Sequence, residues 1–308
     1  MGRYLLLFSY MGHRYRGLQR QTGNRDVLNV DCIQGAIEAA YSSVRPKIIK
    51  DRFVASSRTD AGVHALFNSA HIELENKFGL YYDPESLKRF INRHLLRCRH
   101  EIRILQCIPI TDKFHARHNA LSRTYYFRFA VPKNGVTDRM APISEMNRST
   151  TYRFHEFNLE KFQSGLKHFI GLHDFGTFSV EDKDNKHKVY RRLLYEVTLE
   201  KATPLFPFDP CVENFDYWHI KFRGKSFVHN QIRRMVGALF ALSCGQITEK
   251  DIITMLQVPS KNSWCPQVST APGNGLYLAN IEYDQKELEK NTIVYNEKEF
   301  LRPVKRFS

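Results

Sequence analysis

The chain has 308 residues, of which 42% are hydrophobic and 13% aromatic, and this composition excludes disorder over most of its length. Lysine and arginine number 46 against 32 aspartate and glutamate residues, which gives a formal net charge of +14. An excess of this size favours a polyanionic partner such as nucleic acid, although an ordinary enzyme with a basic surface would show the same count.

Apolar runs and helical spacings predict the elements of the first part of the chain. In order, these are a strand over 4–10, a helix over 31–44, strands over 52–55 and 68–74, a helix over 84–96 and a strand over 102–110. Arginines are frequent from Arg89 to Arg103, and we expect this segment to form a solvated face that touches RNA phosphates.

The second part opens with an aromatic strand over 124–129 and a polar, proline-containing connection over 132–152. The further predicted elements are a helix over 159–170, strands over 191–200 and 217–222, helices over 231–243 and 248–256 and a strand over 276–283. This mixture predicts the α+β class with mixed or antiparallel sheets. We predict two weakly similar α/β subdomains, over 1–111 and 112–285, that face a shared cleft. Residues 286–308 are predicted to form a charged, flexible tail.

The cysteines and the hydropathy pattern bear on location. Six cysteines occur without a Cys-x-x-Cys pair, which favours reduced thiols in an intracellular protein and no metal site. No run is long enough for a membrane-spanning helix, and the N-terminus enters a strand directly without a recognisable secretory signal. We therefore expect a soluble intracellular protein with no membrane contact, and the compartment among cytoplasm, nucleus and mitochondrion stays open.

The segment 56–65 places a carboxylate beside a guanidinium on a turn that contains glycine. A strand over 52–55 leads into Arg58-Thr59-Asp60-Ala61-Gly62. Asp60 and Gly62 are ordinary turn residues, so Asp60 either caps a turn or is presented as a reactive group. The residues alone leave both interpretations open.

Motifs in five segments extend this pattern along the chain. The first is residues 10–21, which end in Gly17-Leu18-Gln19-Arg20-Gln21, and the second is Ser57-Arg58-Thr59-Asp60-Ala61-Gly62-Val63-His64-Ala65. The third is residues 114–117 followed by Arg123-Thr124-Tyr125, the fourth is residues 224–237, which contain Gln231-Ile232-Arg233-Arg234-Met235, and the fifth is Ala271-Pro272-Gly273-Asn274-Gly275-Leu276-Tyr277-Leu278. In this order they resemble the TruA family of tRNA pseudouridine synthases, and the resemblance covers residues 4–283. Met11, Leu18 and Ser57 depart from the usual Asp, Trp and Gly of the family. The departures at 18 and 57, with the 231–235 segment, are most similar to a metazoan branch.

The resemblance implies the pseudouridine synthase fold and an isomerase that needs neither cofactor nor metal. Asp60 matches the catalytic carboxylate, which acts as a nucleophile on the nucleotide or as the base in a glycal-type path. Arg58 matches the arginine that flips the base, and Arg233 the ion-pair partner of the aspartate. Tyr125 matches the residue that stacks on the base and can assist proton transfer. As alternatives, Arg58 forms a structural salt bridge, Arg233 contacts phosphate or is a surface charge of its helix, and Tyr125 is a core aromatic.

The resemblance also implies tRNA, or another structured RNA, as the partner and a homodimer as the assembly. In addition to the catalytic residues Asp60 and Arg233, we predict a set of substrate-binding residues: Arg14, Arg16, Arg20, Arg58, His64, Arg117, Arg123 and Tyr125. We expect His64 to order the loop through a hydrogen bond rather than to act as a general base. Two other functions compete. One is an inactive RNA-binding paralogue that acts as a chaperone. The other is a hydrolase that uses Asp60, and it is disfavoured because the sequence shows no second carboxylate in a recognisable catalytic setting.

Overall fold

A computed structural model describes most of the chain, in two units. The described residues are 2–20, 29–42, 44, 52–75, 79–154, 156–180, 189–294, 296 and 300–301. Unit 1 comprises Met1–Leu121 and Leu278–Ser308, and unit 2 comprises Ser122–Tyr277. Gln21 of the first motif lies outside the described residues, as do residues 295, 297–299 and 302–308 of the predicted tail. The division predicted at 111 and 285 stays a prediction.

Unit 1 contains a sheet in the order β5-β1-β3-β11, with β2 paired to β3. The strands are β1 (Gly2–Tyr10), β2 (Arg52–Ala55), β3 (His64–Leu74), β5 (Ile102–Ile110) and β11 (Leu276–Tyr283, in unit 1 from Leu278). β1 is antiparallel to both β3 and β5, and β2 is antiparallel to β3. The short strands β4 (Tyr81–Tyr82) and β12 (Phe300–Leu301) pair in parallel beside this sheet.

The described helices of unit 1 are α1 (Ile33–Ser42), α2 (Pro84–Arg97) and α6 (Gln285–Asn291). α1 packs on α2, and α2 packs on β5 through the buried stripe Leu87, Ile91 and Leu95. The Asp83 carboxylate accepts a hydrogen bond from the Ser86 amide at 2.9 Å and so caps the start of α2.

Unit 2 contains an antiparallel sheet in the order β6-β10-β9-β8, with the short β7 parallel to β6. The strands are β6 (Ala120–Pro132, in unit 2 from Ser122), β7 (Thr150–Thr151), β8 (Gly171–Asp174), β9 (Arg191–Ala202) and β10 (Phe215–Gly224). Its described α-helices are α3 (Leu159–Lys167), α4 (Gln231–Ser243) and α5 (Glu249–Gln257). α3 packs on α4 around a cluster of aromatic rings that includes Phe129, Phe162 and Phe240.

The observed elements confirm the α+β class. The bounds of β2, β5, α4 and β11 agree with the prediction to the residue. β3 begins at His64 rather than at 68, because the chain pairs with β1 as soon as it leaves the glycine turn. Residues 285–291, where we predicted the start of a flexible tail, form α6, and the Asp284 carboxylate caps it by accepting from the amides of Lys286 and Glu287. No helix of the described segments is long and apolar enough to cross a bilayer.

Candidate active site

The turn that carries Asp60 is closed by its own backbone. The Val63 amide donates to the Asp60 carbonyl at 3.2 Å, and Gly62 supplies the left-handed φ of 79°. Thr59 is buried, Asp60 is half-buried and the Arg58 side chain is exposed. The turn therefore presents a carboxylate and a guanidinium, while the threonine between them points into the protein.

Residues 11–20 form a second loop, here called the clamp loop, which contacts the Asp60 turn through backbone atoms. The Leu18 amide donates to the Thr59 carbonyl at 3.0 Å. Two glycines allow the close approach. A Cβ on Gly12 would lie 1.9 Å from the Val63 carbonyl oxygen, and Gly17 has a φ of 105° with the Thr59 carbonyl 3.0 Å from its Cβ position. The clamp loop thus fixes the position of the Asp60 turn.

A buried polar network lies beneath the turn. The Thr59 and Tyr10 hydroxyls are 2.7 Å apart, and the Asn68 amide donates to the Tyr10 hydroxyl at 3.3 Å and to the Ser57 carbonyl at 3.1 Å. The Asn68 side-chain oxygen in turn accepts from the Ser69 amide at 2.8 Å. Because an unsatisfied buried amide is costly, this asparagine fixes the path of 57–59 relative to β1 and β3.

The network continues to the end of β11. The hydroxyls of Ser69 and Tyr283 are 2.6 Å apart, and Tyr283 also donates to the Ala116 carbonyl at 2.6 Å. The exposed Arg117 follows directly, and its amide donates to His115 Nδ1 at 3.2 Å. The predicted substrate-binding residue Arg117 is therefore joined to the same framework as the Asp60 turn.

His64 is fully buried and makes a contact of the kind that we expected from the sequence. Its Nδ1 accepts a hydrogen bond from the Gly12 amide at 3.0 Å. This bond ties the clamp loop to the start of β3. Such an imidazole is suited to positioning backbone, since the accepting nitrogen is already occupied.

The predicted arginines of the clamp loop differ in their surroundings. Arg14 and Arg16 are exposed. Arg20 forms an ion pair with the buried Glu38 of α1, and Gln34 donates to the same carboxylate at 2.8 Å. Arg20 therefore anchors the end of the clamp loop to α1, and its predicted contact with substrate stays a prediction. Arg58 donates to the Gln19 side chain at 3.1 Å, so the clamp loop also orients this guanidinium.

In unit 2, Tyr125 and Arg123 lie on β6 beside the segment that follows β10. The buried Tyr125 ring meets Phe227 edge to face, with centroids 5.1 Å apart. The buried Arg123 guanidinium donates to the Lys225 carbonyl at 2.7 Å. Both contacts attach the strand to the loop 224–230, which leads into α4.

Arg233 occupies the first turn of α4 and is held by two acceptors. Its Nε donates to the Ala271 carbonyl at 2.7 Å, and its Nη1 donates to the Asn230 side chain at 2.8 Å. Asn230 precedes the helix in the left-handed conformation, with a φ of 59°. The closing motif at 271 and the helix motif at 230–233 therefore meet at one guanidinium.

The neighbouring Arg234 has a different environment. It donates to the carbonyls of Thr177 and Ser179 at 2.8 and 3.0 Å and lies 4.6 Å from the centre of the Trp264 ring. Burial lowers the pKa of this guanidinium from its ordinary value. Arg234 therefore organises the segment around the buried Phe178, and the two adjacent arginines are not equivalent.

The structure brings Arg58, Asp60 and His64 together with the clamp loop in unit 1, and Arg123, Tyr125 and Arg233 lie in unit 2. The pairing of Asp60 with Arg233 stays a prediction. Sequence reasoning missed three supporting residues, Gln19, Asn68 and Asn230. All lie in or next to the motifs, but no local pattern shows which partner each side chain binds. No group of three or more possible metal-ligating side chains occurs among the residues described.

Together these features define an α+β protein that presents a carboxylate on a braced turn. Comparisons with known proteins extend this: a family model described as tRNA pseudouridine synthase matches residues 166–284. A protein named tRNA pseudouridine synthase-like 1 from Xenopus laevis is 34% identical over 287 residues, covering 93% of each chain. The Homo sapiens protein of the same name is 31% identical, covering 91% of this chain and 90% of its own. The tRNA pseudouridine synthase A of Caulobacter sp. (strain K31) is 29% identical, covering 92% and 99%.

The chain therefore belongs to the tRNA pseudouridine synthase family, of the TruA type, which is a family of isomerases. This confirms the resemblance drawn from the five motifs, the pseudouridine synthase fold that it implied and the metazoan branch.

Proposed function

We propose that this protein is a tRNA pseudouridine synthase in which Asp60 is the catalytic carboxylate. The observation that carries the proposal is the construction of the Asp60 turn. Its backbone is fixed by the clamp loop and by the Asn68 network, so the half-buried carboxylate is held on a rigid support, as a catalytic group requires. A turn aspartate with only a capping role would need no such support.

The chemistry balances within the substrate. The N1–C1′ bond of a uridine breaks, the uracil turns, and a C5–C1′ bond forms, while the proton lost from C5 is matched by the proton gained at N1. No electrons leave the nucleotide, and we propose that no cofactor takes part. Asp60 serves as the nucleophile, and we propose Arg233 as its ion-pair partner.

The other residues handle the base. Arg58, exposed and oriented by Gln19, fills the space that the uridine leaves in the RNA stack. Tyr125 stacks on the target uracil, and its position against Phe227 supports this role because the ring is fixed edge to face. We further propose a homodimer as the working assembly, with tRNA or another structured RNA as substrate.

The experiment gives purified protein a tRNA transcript labelled with tritium at uridine C5 and measures both tritium release and pseudouridine. Wild type is expected to release tritium with matching pseudouridine. Asp60→Asn is expected to lose at least about 1,000-fold in rate, the order seen when a nucleophile or its partner is removed. Asp112→Asn, a change at an exposed carboxylate of the same unit, is the matched control and should keep wild-type activity.

The other outcomes separate the competing functions. Free uracil without pseudouridine would indicate a hydrolase. Tight tRNA binding with no product on any tRNA pool would indicate the inactive RNA-binding paralogue. An Asp60→Asn variant as active as wild type would remove Asp60 from the mechanism.

A further inference from the structure

Helix α2 ends with an arginine in a conformation that normally belongs to glycine. Arg99 has a φ of 56°, in the left-handed region. The His100 amide donates to the Leu95 carbonyl at 2.9 Å, and the Arg99 amide donates to the Leu96 carbonyl at 3.0 Å. This pair of bonds is the Schellman motif, in which the left-handed position strongly prefers glycine because a Cβ is strained there.

The same chain provides the unstrained version of this motif. At the end of α4 the Gln246 amide donates to the Ala241 carbonyl at 2.9 Å, and the Gly245 amide donates to the Leu242 carbonyl at 3.1 Å. Gly245 takes the left-handed position with a φ of 77°. The two helices thus end with the same hydrogen bonds, but α2 has a charged residue at the left-handed position where α4 has glycine. Strain of this kind points to a use for the side chain.

The exposed Arg99 follows a row of arginines on α2. Arg89, Arg93 and Arg97 are exposed and follow one another at four-residue spacing, on the side of the helix away from the buried Leu87–Ile91–Leu95 stripe. Within the described segments, neither Arg93 nor Arg97 forms an ion pair. Like charges at this spacing repel each other. A polyanion laid along the row would remove that repulsion.

The row is connected to the Asp60 turn through the clamp loop. Arg14 donates to the Arg99 carbonyl at 3.4 Å, and the Met11 amide donates to the Glu101 carbonyl at 3.0 Å. The same loop binds His64 through the Gly12 amide. Desolvation by burial lowers the pKa of His100, which disfavours a positive charge on this imidazole.

We propose that Arg93, Arg97 and Arg99 form a docking surface for the phosphodiester backbone of RNA, outside the site that receives the uridine. Guanidinium groups suit this task because they bind phosphate oxygens with two parallel donors. The clamp loop then relates the docked backbone to the position of Asp60. The proposal rests on the proposed function only in taking RNA as the partner.

The first test measures binding of an unmodified tRNA transcript by fluorescence anisotropy over a range of KCl concentrations. Arg93→Gln/Arg97→Gln is compared with Lys286→Gln/Lys290→Gln, which removes the same charge at the same four-residue spacing from exposed positions of α6. Each lost phosphate contact should reduce the slope of log K against log [salt] by roughly 0.7–0.9. We expect a reduction of about 1.5 for the arginine pair and none for the lysine pair. Equal slopes for the two variants would overturn the proposal.

The second test uses the strain at Arg99. Arg99→Gly should raise the thermal midpoint by about 2 °C, because the backbone strain is relieved. The same variant should weaken RNA binding and lower the salt slope by roughly 0.8, whereas Arg99→Lys should keep both near wild type. A glycine variant that is stabilised yet binds RNA with an unchanged slope would show that the side chain has no contact with RNA.

Both tests measure binding without turnover, so the two proposals fail independently. If the wild-type protein makes no pseudouridine and the arginine variants lose RNA binding, the docking proposal stands and the proposed function is overturned. If the arginine variants form the full amount of product and bind RNA as wild type does, the proposed function stands and the docking proposal is overturned. Binding to phosphatidylserine vesicles that is lost in the arginine variants, with RNA binding unchanged, would assign the surface to membranes and overturn the proposal.

Discussion

Asn230 is one of the two acceptors that position Arg233. Asn230 accepts a hydrogen bond from the Arg233 guanidinium at 2.8 Å while its own backbone lies in the left-handed region. Asparagine tolerates this conformation better than most residues, and its short side chain reaches the guanidinium three residues later. Asn230 therefore serves two purposes: its backbone adopts the left-handed conformation before α4, and its side chain accepts the hydrogen bond from Arg233.

We predict that Asn230→Gly separates these two requirements. Glycine accepts the left-handed backbone but leaves Nη1 without this partner, so stability should change little while kcat falls by about tenfold, the cost of one hydrogen bond to a charged group. Urea unfolding and the pseudouridine assay measure the two effects.

Asn230→Ala is the companion variant. It lacks the same acceptor and in addition strains the backbone, so it should lose both activity and stability. Unchanged kcat in both variants would contradict the positioning role of Asn230.

At the scale of elements, the Asp60 turn owes its shape to the clamp loop. Gly12 lies against the Val63 carbonyl so closely that a Cβ would sit 1.9 Å from it. Backbone atoms cannot give way as a flexible side chain can, so any larger residue must displace the turn or the loop.

We predict that Gly12→Ala lowers both the free energy of unfolding and the rate of pseudouridine formation, because relieving the clash moves the Asp60 turn. Gly79→Ala is the matched control in the same unit. Gly79 has a left-handed φ of 67° but nothing within 4 Å of its Cβ position, so alanine there should cost about 1 kcal/mol in stability and leave the rate unchanged. Equal rates for the Gly12→Ala variant and wild type would contradict the bracing role of the clamp loop.

At the scale of the whole molecule, the C-terminal segment contributes to unit 1. Leu288 of α6 packs against a core cluster that contains Leu5, Leu7, Ile110 and Phe114. The Thr111 hydroxyl and the Asn291 side chain are 2.6 Å apart. A cavity of about 420 Å³ lies between this helix and the sheet.

We predict that a chain ending at residue 284 unfolds at a lower temperature than the full chain, by about 5 °C or more, because the core under α6 becomes exposed. Differential scanning calorimetry measures the shift. A chain ending at 301 is the control and should keep the midpoint of the full chain. An unchanged midpoint after removal of α6 would support the flexible tail that the sequence predicted.

The elements that the sequence predicted well share a physical basis. α4 has apolar residues at helical spacing, and β5 and β11 are compact apolar runs, so local preference and tertiary structure agree. α6 was missed because its sequence is mostly charged, and only its capping by Asp284 and the burial of Leu288 make it a helix of this fold.

By itself the sequence determined the composition, the excess of positive charge, the motif around Asp60 and the family. Only the tertiary structure decided which distant residues support that motif. The Gly12 contact, the Asn68 network and the bond from Arg233 to the Ala271 carbonyl all depend on atoms of distant segments brought together by packing. The physical reason is that periodicity and turn preference are local, whereas a close approach or a buried hydrogen bond is fixed only when separate segments meet.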